Sequence, residues 1–300
     1  VYAGNPETLV PKYALPKLYN LEQDYGSFIG GAIKKKFKKK TEIEKKANRK
    51  IFSFKDGLQN LVNTLYQKTG KENFKLGLQN IQVKKIDGSY QVSFSDSKGE
   101  KQIITANHVI VTAGSHKLPD LLPDLEPEKL KSLTNLNYAR VIEVALGFNS
   151  WHGMDLDAFG GLIPYKEKRD LLGVLFTSCF LEGRAPKEGA LFTIFMGGVR
   201  RPEIHGKPDE EIYDIVKKEF TDLMGISEFK PDLFKIFRHE WAIPQYESSS
   251  GKRFETIKEI ENNSPGLILK GNFTGGIGLA DRIKEGRKAA DRILELSNSN

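Results

Sequence analysis

The sequence predicts a chain of mixed α/β and α+β class, and three observations carry that reading. Two continuous apolar runs, His108-Val109-Ile110-Val111-Thr112-Ala113-Gly114 and Gly266-Leu267-Ile268-Leu269-Lys270-Gly271, have the character of strands buried on both faces of a sheet. The second leads through glycines straight into a helical pattern. Between the two runs, short β-prone segments follow one another with one strong helix among them, which is the pattern of an antiparallel sheet.

Taken in order, Lys17 to Tyr25 follows Leu15-Pro16 and repeats Leu18, Leu21 and Tyr25 along one helix face, with Gly30-Gly31 read as its end. A lysine block follows: Lys34, Lys35, Lys36, Lys38, Lys39, Lys40, Lys45 and Lys46. Ile51-Phe52-Ser53-Phe54 reads as a short strand, Asp56-Gly57 as a turn, and Leu58, Leu61, Val62 and Leu65 as a helix face. Ile81 to Ile86, Asp87-Gly88 and Tyr90 to Phe94 form the strongest hairpin signal in the chain, because Asp-Gly suits a two-residue turn. A further strand covers Gln102 to Thr105. The segment Lys117 to Glu128, with Pro119, Pro123 and Pro127, reads as a change of domain. Strands are then expected at Val141 to Phe148, Gly160 to Pro164, Leu171 to Ser178, Leu191 to Met196 and Phe234 to Trp241. A charged amphipathic helix is expected at Asp209 to Leu223 and a terminal one at Leu279 to Leu296, while Ser248-Ser249-Ser250 reads as a loop.

Composition narrows the classes. The 300 residues are 39% hydrophobic and 28% charged, enough for a full core, and no stretch of apolar residues is long enough to span a bilayer. One cysteine, Cys179, allows no internal disulfide and suits a reducing compartment, so a cytoplasmic location is expected. Cys179 sits among apolar neighbours and reads as an inert packed thiol. The histidines His108, His116, His152, His205 and His239 show no ligand spacing, so no metal site is expected. The net charge of +7 is concentrated in the lysine block, which reads first as a solvated face and second as a patch for an anionic membrane.

The segment with chemical content is Gly271-Asn272-Phe273-Thr274-Gly275-Gly276-Ile277-Gly278-Leu279. A buried strand running through glycines into a helix lets backbone approach a flat or anionic ligand, with unpaired N–H groups and the positive dipole end aimed at it. The spacing matches neither a P-loop nor the dinucleotide fingerprint.

The order of Phe52 to Leu61, the hairpin from Ile81, His108 to Gly114 and Gly271 to Ala290 resembles the flavin-containing amine oxidoreductase superfamily. Phe159-Gly160-Gly161-Leu162-Ile163-Pro164, Leu172 to Ser178, Gly183-Arg184-Ala185-Pro186, Met196-Gly197-Gly198, Ala242-Ile243-Pro244-Gln245-Tyr246 and the opening Tyr2-Ala3-Gly4-Asn5-Pro6 are similar to its protoporphyrinogen oxidase branch. The resemblance covers essentially the whole chain. It implies a p-hydroxybenzoate-hydroxylase-like two-domain flavoenzyme: an FAD/NAD(P)-binding lobe, incomplete here, and an antiparallel-sheet substrate domain. Residues 1–47 would then be a remnant of a membrane-facing helical segment, 48–114 a section of the FAD lobe, 115–255 the substrate domain and 256–300 the C-terminal FAD strand-turn-helix.

The resemblance further implies that FAD meets Ile81 at its adenine end and Asn272, Ile277, Gly278 and Leu279 at its flavin end. Phe159, Leu162 and Phe195 would clamp the porphyrinogen macrocycle, with no side chain of this chain an evident acid or base and Arg140 and Arg184 as candidate propionate partners. The implied activity is oxidation of protoporphyrinogen IX to protoporphyrin IX with molecular oxygen, in haem biosynthesis, by a protein peripheral on the inner face of the cell membrane. Coproporphyrinogen, an amine or a carotenoid is the alternative substrate; a homodimer is compatible with this reading, and no nucleic-acid partner is expected from it. The rival from another class is a non-catalytic module using Lys34 to Lys46 on a membrane or nucleic acid. The chain begins at Val1 in mid-phrase and holds no Gly-x-Gly-x-x-Gly unit. It is therefore expected to be a piece of a longer polypeptide that by itself binds FAD weakly and does not turn over. Apolar surface around Val109 to Val111 and Ile268 is expected to be exposed in it.

Overall fold

A computed structural model describes residues 2–37 and 53–298. The elements are α1 (Pro16–Tyr25), α2 (Phe28–Phe37), α3 (Gln59–Thr69), β1 (Gln79–Ile86), β2 (Ser89–Ser95), β3 (Lys101–Ala106), β4 (Val109–Val111), α4 (Pro127–Thr134), β5 (Tyr138–Phe148), β6 (Gly160–Leu162), β7 (Leu171–Leu175), β8 (Ala190–Gly197), α5 (Asp209–Met224), β9 (Leu233–Pro244), α6 (Ser250–Asn263), β10 (Leu267–Leu269) and α7 (Leu279–Asn298), joined by loops and short helical turns. The described residues fall into two compact units: 2–5, 33–37, 53–71 and 138–242 in one, and 6–32, 72–137 and 243–298 in the other.

The first unit is built on a five-stranded sheet in the order β6-β7-β8-β5-β9. Strands β5 and β8 pair antiparallel with Ile142 opposite Met196, Val144 opposite Ile194 and Leu146 opposite Phe192. Because side chains alternate along a strand, this register places all six on one face. That face is covered by α5, whose Ile212, Val216, Phe220 and Met224 recur every four residues and are buried with them. Rings of Phe148, Trp151, Phe192 and Phe220 pack mostly edge to face, Phe192 and Phe220 at 4.9 Å. Each such buried side chain contributes about 1.5–3 kcal/mol relative to exposure, so this cluster anchors the sheet through one face.

The second unit carries the antiparallel meander β1-β2-β3 and a two-stranded parallel pair, β10 with β4. The hairpin forms as its turn chemistry demands: Asp87 and Gly88 have φ of 48° and 83°, the left-handed pair that matches strand twist. Leu267, Ile268 and Leu269 lie opposite Val109, Ile110 and Val111, the two continuous apolar runs finding each other. Leu269 is fully buried, whereas Ile110 stays 40% exposed and Ile268 is buried, so the expected apolar surface is present at Ile110 and absent at Ile268. Helix α6 lies against α4 through Ser132 and Thr256, whose hydroxyls are 3.0 Å apart.

Several local readings change. Gly30 and Gly31 lie inside α2; the helix before it is ended by Gly26 at φ 73°. Ser53 and Phe54 belong to no strand, and Ile51 and Phe52 lie outside the described residues. The serine run leads into α6, with Ser250 its first residue. Pro119 and Pro127 sit in the first turns of helices, where a missing N–H costs nothing, so this stretch continues its unit. The compact units accordingly divide the chain near 137 and 242 where the sequence suggested 115 and 255, and 53–71 group with the five-stranded sheet.

Candidate functional site

The glycine-rich turn leaves β10 after Leu269 and enters α7 at Leu279. Its inner side is held by buried polar groups. The Tyr246 phenol donates to the Asn272 carbonyl at 2.6 Å and accepts from the Gly276 amide at 3.1 Å. Arg253, fully buried on α6, donates through Nε to the Phe273 carbonyl at 3.2 Å and through a terminal nitrogen to Ser250 Oγ at 2.9 Å. Arg282 donates to the Gly276 carbonyl at 2.8 Å. Gly276 adopts φ 100°, and a Cβ there would stand 2.6 Å from Asp281 Oδ2, so glycine is required by both conformation and space. On the outer side Gly275, Gly278 and Leu279 are exposed. Asp281, in the first turn of α7, accepts from the Gly278 amide at 3.3 Å, as an acidic residue reaching back over a helix start does.

Ile81 lies on β1 where the register slips: Gln79 opposes Ser95 but Gln82 opposes Ser93. Such a bulge sets two residues against one and leaves backbone outside the ladder, which is what a backbone contact to a ligand needs. The same hairpin is tied to the strand before the turn by Tyr90, whose buried hydroxyl donates to the Ser264 and Pro265 carbonyls at 3.0 and 2.9 Å. Burial pushes the Tyr90 phenol above its ordinary value, a backbone hydrogen bond at Leu267 opposing it.

In the other unit, two of the three expected wall residues share one row of the sheet. Leu162 is opposite Gly173, Gly173 opposite Phe195, and Phe195 opposite Glu143. This row lies on the face away from α5. Leu162 is 74% exposed and Phe195 partly so, which is not how core residues behave. Gly173 makes the row possible: a Cβ there would lie 2.7 Å from the Gly161 carbonyl oxygen and 3.0 Å from Leu162 Cδ2. The far end of the row is polar, with His239 Nε2 on β9 at 3.6 Å from Glu143 Oε2. Phe159 is not in the row. It precedes β6, is 55% exposed, accepts the Phe176 amide at its carbonyl and meets the Phe180 ring at 5.1 Å.

Other side chains have structural partners. Arg140 pairs with Glu240 at 2.9 Å, and Arg184 donates to the Phe54 carbonyl at 3.2 Å. Cys179, expected to be packed, is exposed on a short helical turn beside a cleft of about 460 Å³; burial of the sulfur's surroundings and the Asp157 charge still push its thiol up. Among the described residues no three His, Cys, Asp or Glu side chains are placed to hold a metal ion. Lys38 to Lys46 lie outside the described residues.

One unit thus carries a buried strand leading through an exposed glycine turn to a helix start, together with a bulged hairpin, and the other carries a five-stranded sheet. The chain belongs to the family described as flavin containing amine oxidoreductase, which matches residues 1–294. FAD is the cofactor that membership implies. The chain is 30% identical over 99% of its length to protoporphyrinogen oxidase 2, chloroplastic/mitochondrial, of Arabidopsis thaliana, covering 62% of that protein. It is 28% identical, over 99% of its length, to the mitochondrial protoporphyrinogen oxidase of Nicotiana tabacum, covering 63% of it. It is 23% identical to coproporphyrinogen III oxidase of Bacillus subtilis, over 98% of this chain and 62% of that one. The chain thus spans about three fifths of the length of these relatives. A crystal structure from Exiguobacterium, assigned to protoporphyrinogen oxidase, shares the fold with a TM-score of 0.77 at 19% identity, over 97% of this chain and 60% of that one.

The residues present fit the flavin end of FAD. The turn has no side chain at its exposed glycines, and the first amides of α7 have no intrahelical acceptors. A cofactor edge that gains negative charge on reduction is stabilised there. The sequence signals for Tyr246 and Arg253 were present but unread as such. Tyr246 ends the Ile-Pro-Gln-Tyr motif, and Arg253, Thr256, Ile257 and Ile260 follow the spacing of a buried helix face.

Proposed function

We propose that the protein carries out FAD-dependent oxidation of a porphyrinogen, with protoporphyrinogen IX as substrate and molecular oxygen as acceptor. The observation that carries this reading is the row Leu162, Gly173 and Phe195 on the face of the five-stranded sheet away from α5, with Leu162 74% exposed. A large flat macrocycle with an apolar body needs an apolar wall with few polar groups, and Leu162 and Phe195 would supply one, with the His239–Glu143 pair at the end of their row. The named relatives support the same substrate class.

Bound FAD would supply the hydride acceptor. The turn residues Asn272, Ile277, Gly278 and Leu279 would hold its flavin end, and the backbone at Ile81 its adenine end. Phe159, Leu162 and Phe195 would hold the macrocycle. Each of three rounds would remove a hydride from a meso carbon; over the three, two pyrrole N–H protons and one proton from the fourth meso carbon also leave, so the six hydrogens lost convert the porphyrinogen to the porphyrin.

These 300 residues by themselves are proposed to bind FAD weakly and to lack turnover, since they contain no Gly-x-Gly-x-x-Gly unit to hold the pyrophosphate. Attachment to an anionic membrane surface is proposed through α2, where Ile29, Ile33 and Phe37 are exposed at four-residue spacing and the lysine block begins at Lys34. No helix among the described residues is long and apolar enough to cross a membrane. Sedimentation with phosphatidylglycerol vesicles, abolished by Ile29→Asp with Ile33→Asp, tests the attachment.

The activity is tested by anaerobic addition of protoporphyrinogen IX to the FAD-loaded protein in its full reading frame, following flavin bleaching, with coproporphyrinogen III beside it. Faster bleaching by protoporphyrinogen is expected. Faster bleaching by coproporphyrinogen would move the assignment to the second substrate, which the Bacillus subtilis relative favours; no bleaching by either would end the porphyrinogen reading.

A further inference from the structure

We infer that Tyr246 is a positioning residue for the flavin, closing the glycine-rich turn so that the amides at Ile277 and Leu279 meet the cofactor edge that gains charge on reduction. The inference rests on the placement of FAD at this turn. One phenol oxygen joins both limbs of the turn, donating to the Asn272 carbonyl at 2.6 Å, where the chain leaves the sheet region, and accepting the Gly276 amide at 3.1 Å, just before the helix. Without such a bridge, a stretch this rich in glycine has no local reason to hold one path, because glycine loses the most conformational freedom on ordering.

The bridge is stiff. Tyr246 is 1% exposed, so water is not at hand to take over its bonds. Its ring is held edge to face by Phe254 at 6.0 Å, with the Arg253 guanidinium 5.7 Å above it. Its own carbonyl accepts the Val10 amide at 2.9 Å. Arg253 and Arg282 hold the intervening Phe273 carbonyl and the Gly276 carbonyl from the same inner side. With the Gly276 carbonyl drawn inward by Arg282, the Ile277 amide, on the opposite edge of the same planar peptide, is turned away from that side, and Gly278 and Leu279 just beyond it are exposed. An array of donors fixed in advance stabilises charge without reorganising when the charge arrives. Loosening it therefore weakens binding of FAD and disfavours its reduced, more anionic form, shifting the midpoint potential to more negative values.

The test compares Tyr246→Phe with Phe254→Leu in the FAD-loaded protein of the full reading frame. Tyr246→Phe keeps the ring and removes only the hydroxyl; Phe254→Leu loosens the packing and leaves the hydroxyl bridge. FAD titration and dye-equilibrated potentiometry are the readouts, with melting temperature as control. Tyr246→Phe is expected to raise the FAD dissociation constant about 3- to 10-fold, as loss of a net hydrogen bond does, and to lower the potential. Phe254→Leu is expected to lower the melting temperature and leave the potential unchanged. An unchanged affinity and potential in Tyr246→Phe, or an equal potential shift in Phe254→Leu, would overturn the inference. A wild type that binds FAD, shows the Tyr246→Phe shift and fails to oxidise porphyrinogens would remove the substrate assignment and leave Tyr246 in its role.

Discussion

The hydroxyl of Tyr90, on the second hairpin strand, reaches the carbonyl of Pro265 at 2.9 Å, just ahead of the buried strand that feeds the glycine-rich turn. This bond, with its companion to Ser264, ties the hairpin that carries Ile81 to the strand that leads into the glycine-rich turn. Removing the hydroxyl takes its donor from the Pro265 carbonyl, while the Ser264 carbonyl keeps the Leu267 amide at 3.0 Å. Tyr90→Phe is expected to cost on the order of 1–3 kcal/mol, read as a lower urea midpoint at an unchanged slope.

The same phenol gives a pH dependence. Burial raises its pKa above the unfolded value, so the folded state holds the proton more tightly. Its contribution is fully present below a pH of about 10 and is lost as pH rises through the folded pKa. Melting temperature measured from pH 8 upward should fall more steeply in the wild type than in Tyr90→Phe, once pH passes the ordinary tyrosine range.

Arg253 is a charge with no exposure, on a helix face otherwise made of Thr256, Ile257 and Ile260. Arg253→Leu deprives the Phe273 carbonyl of its buried donor. A loss of about 3 kcal/mol is expected, in the range found on breaking buried polar networks, visible as early thermal unfolding by circular dichroism.

Leu162 and Gly173 are neighbours with opposite sensitivities. Leu162→Ala removes a side chain that is mostly in water, so stability should stay within about 0.5 kcal/mol while porphyrinogen turnover by the FAD-loaded protein falls. Gly173→Ala places a methyl 2.7 Å from the Gly161 carbonyl oxygen. It should destabilise the sheet by about 1–3 kcal/mol, the usual effect of overpacking, which a denaturant titration would detect.

Cys179 is the one thiol of the chain and is exposed, but its environment favours the protonated form. Reaction with a disulfide reagent at pH 8 should go to one equivalent per chain in the native state, more slowly than with free cysteine. No reaction before unfolding would show a packed thiol.

Much of the local structure was legible. The hairpin was fixed by Asp87-Gly88 between alternating strands, and α5 by its four-residue apolar repeat, because both signals lie within a few residues of one another. Boundaries failed where one residue type has two uses: Gly31 continues a helix where Gly26 ends one, and Pro127 opens a helix in a stretch read as a change of domain. Of the candidate site, the turn at Gly271 to Leu279 was visible as a strand-glycine-helix pattern, and Phe159, Leu162 and Phe195 were visible only through resemblance.

By itself the sequence determined the fold class, the alternation that assigns each strand residue to a face, the glycine-rich turn and the family. Tertiary structure alone decided which strands meet and which faces stay open. Nothing in Val109 to Val111 names Leu267 to Leu269 as its parallel partner, and nothing in the strand patterns says that Leu162, Gly173 and Phe195 form one row on the side away from α5. Tyr246 and Asn272 likewise become partners only when α6 and β10 are packed. The reason is physical: periodicity is set by backbone geometry over a turn or two of chain, whereas partners are chosen by the burial that distant segments achieve together.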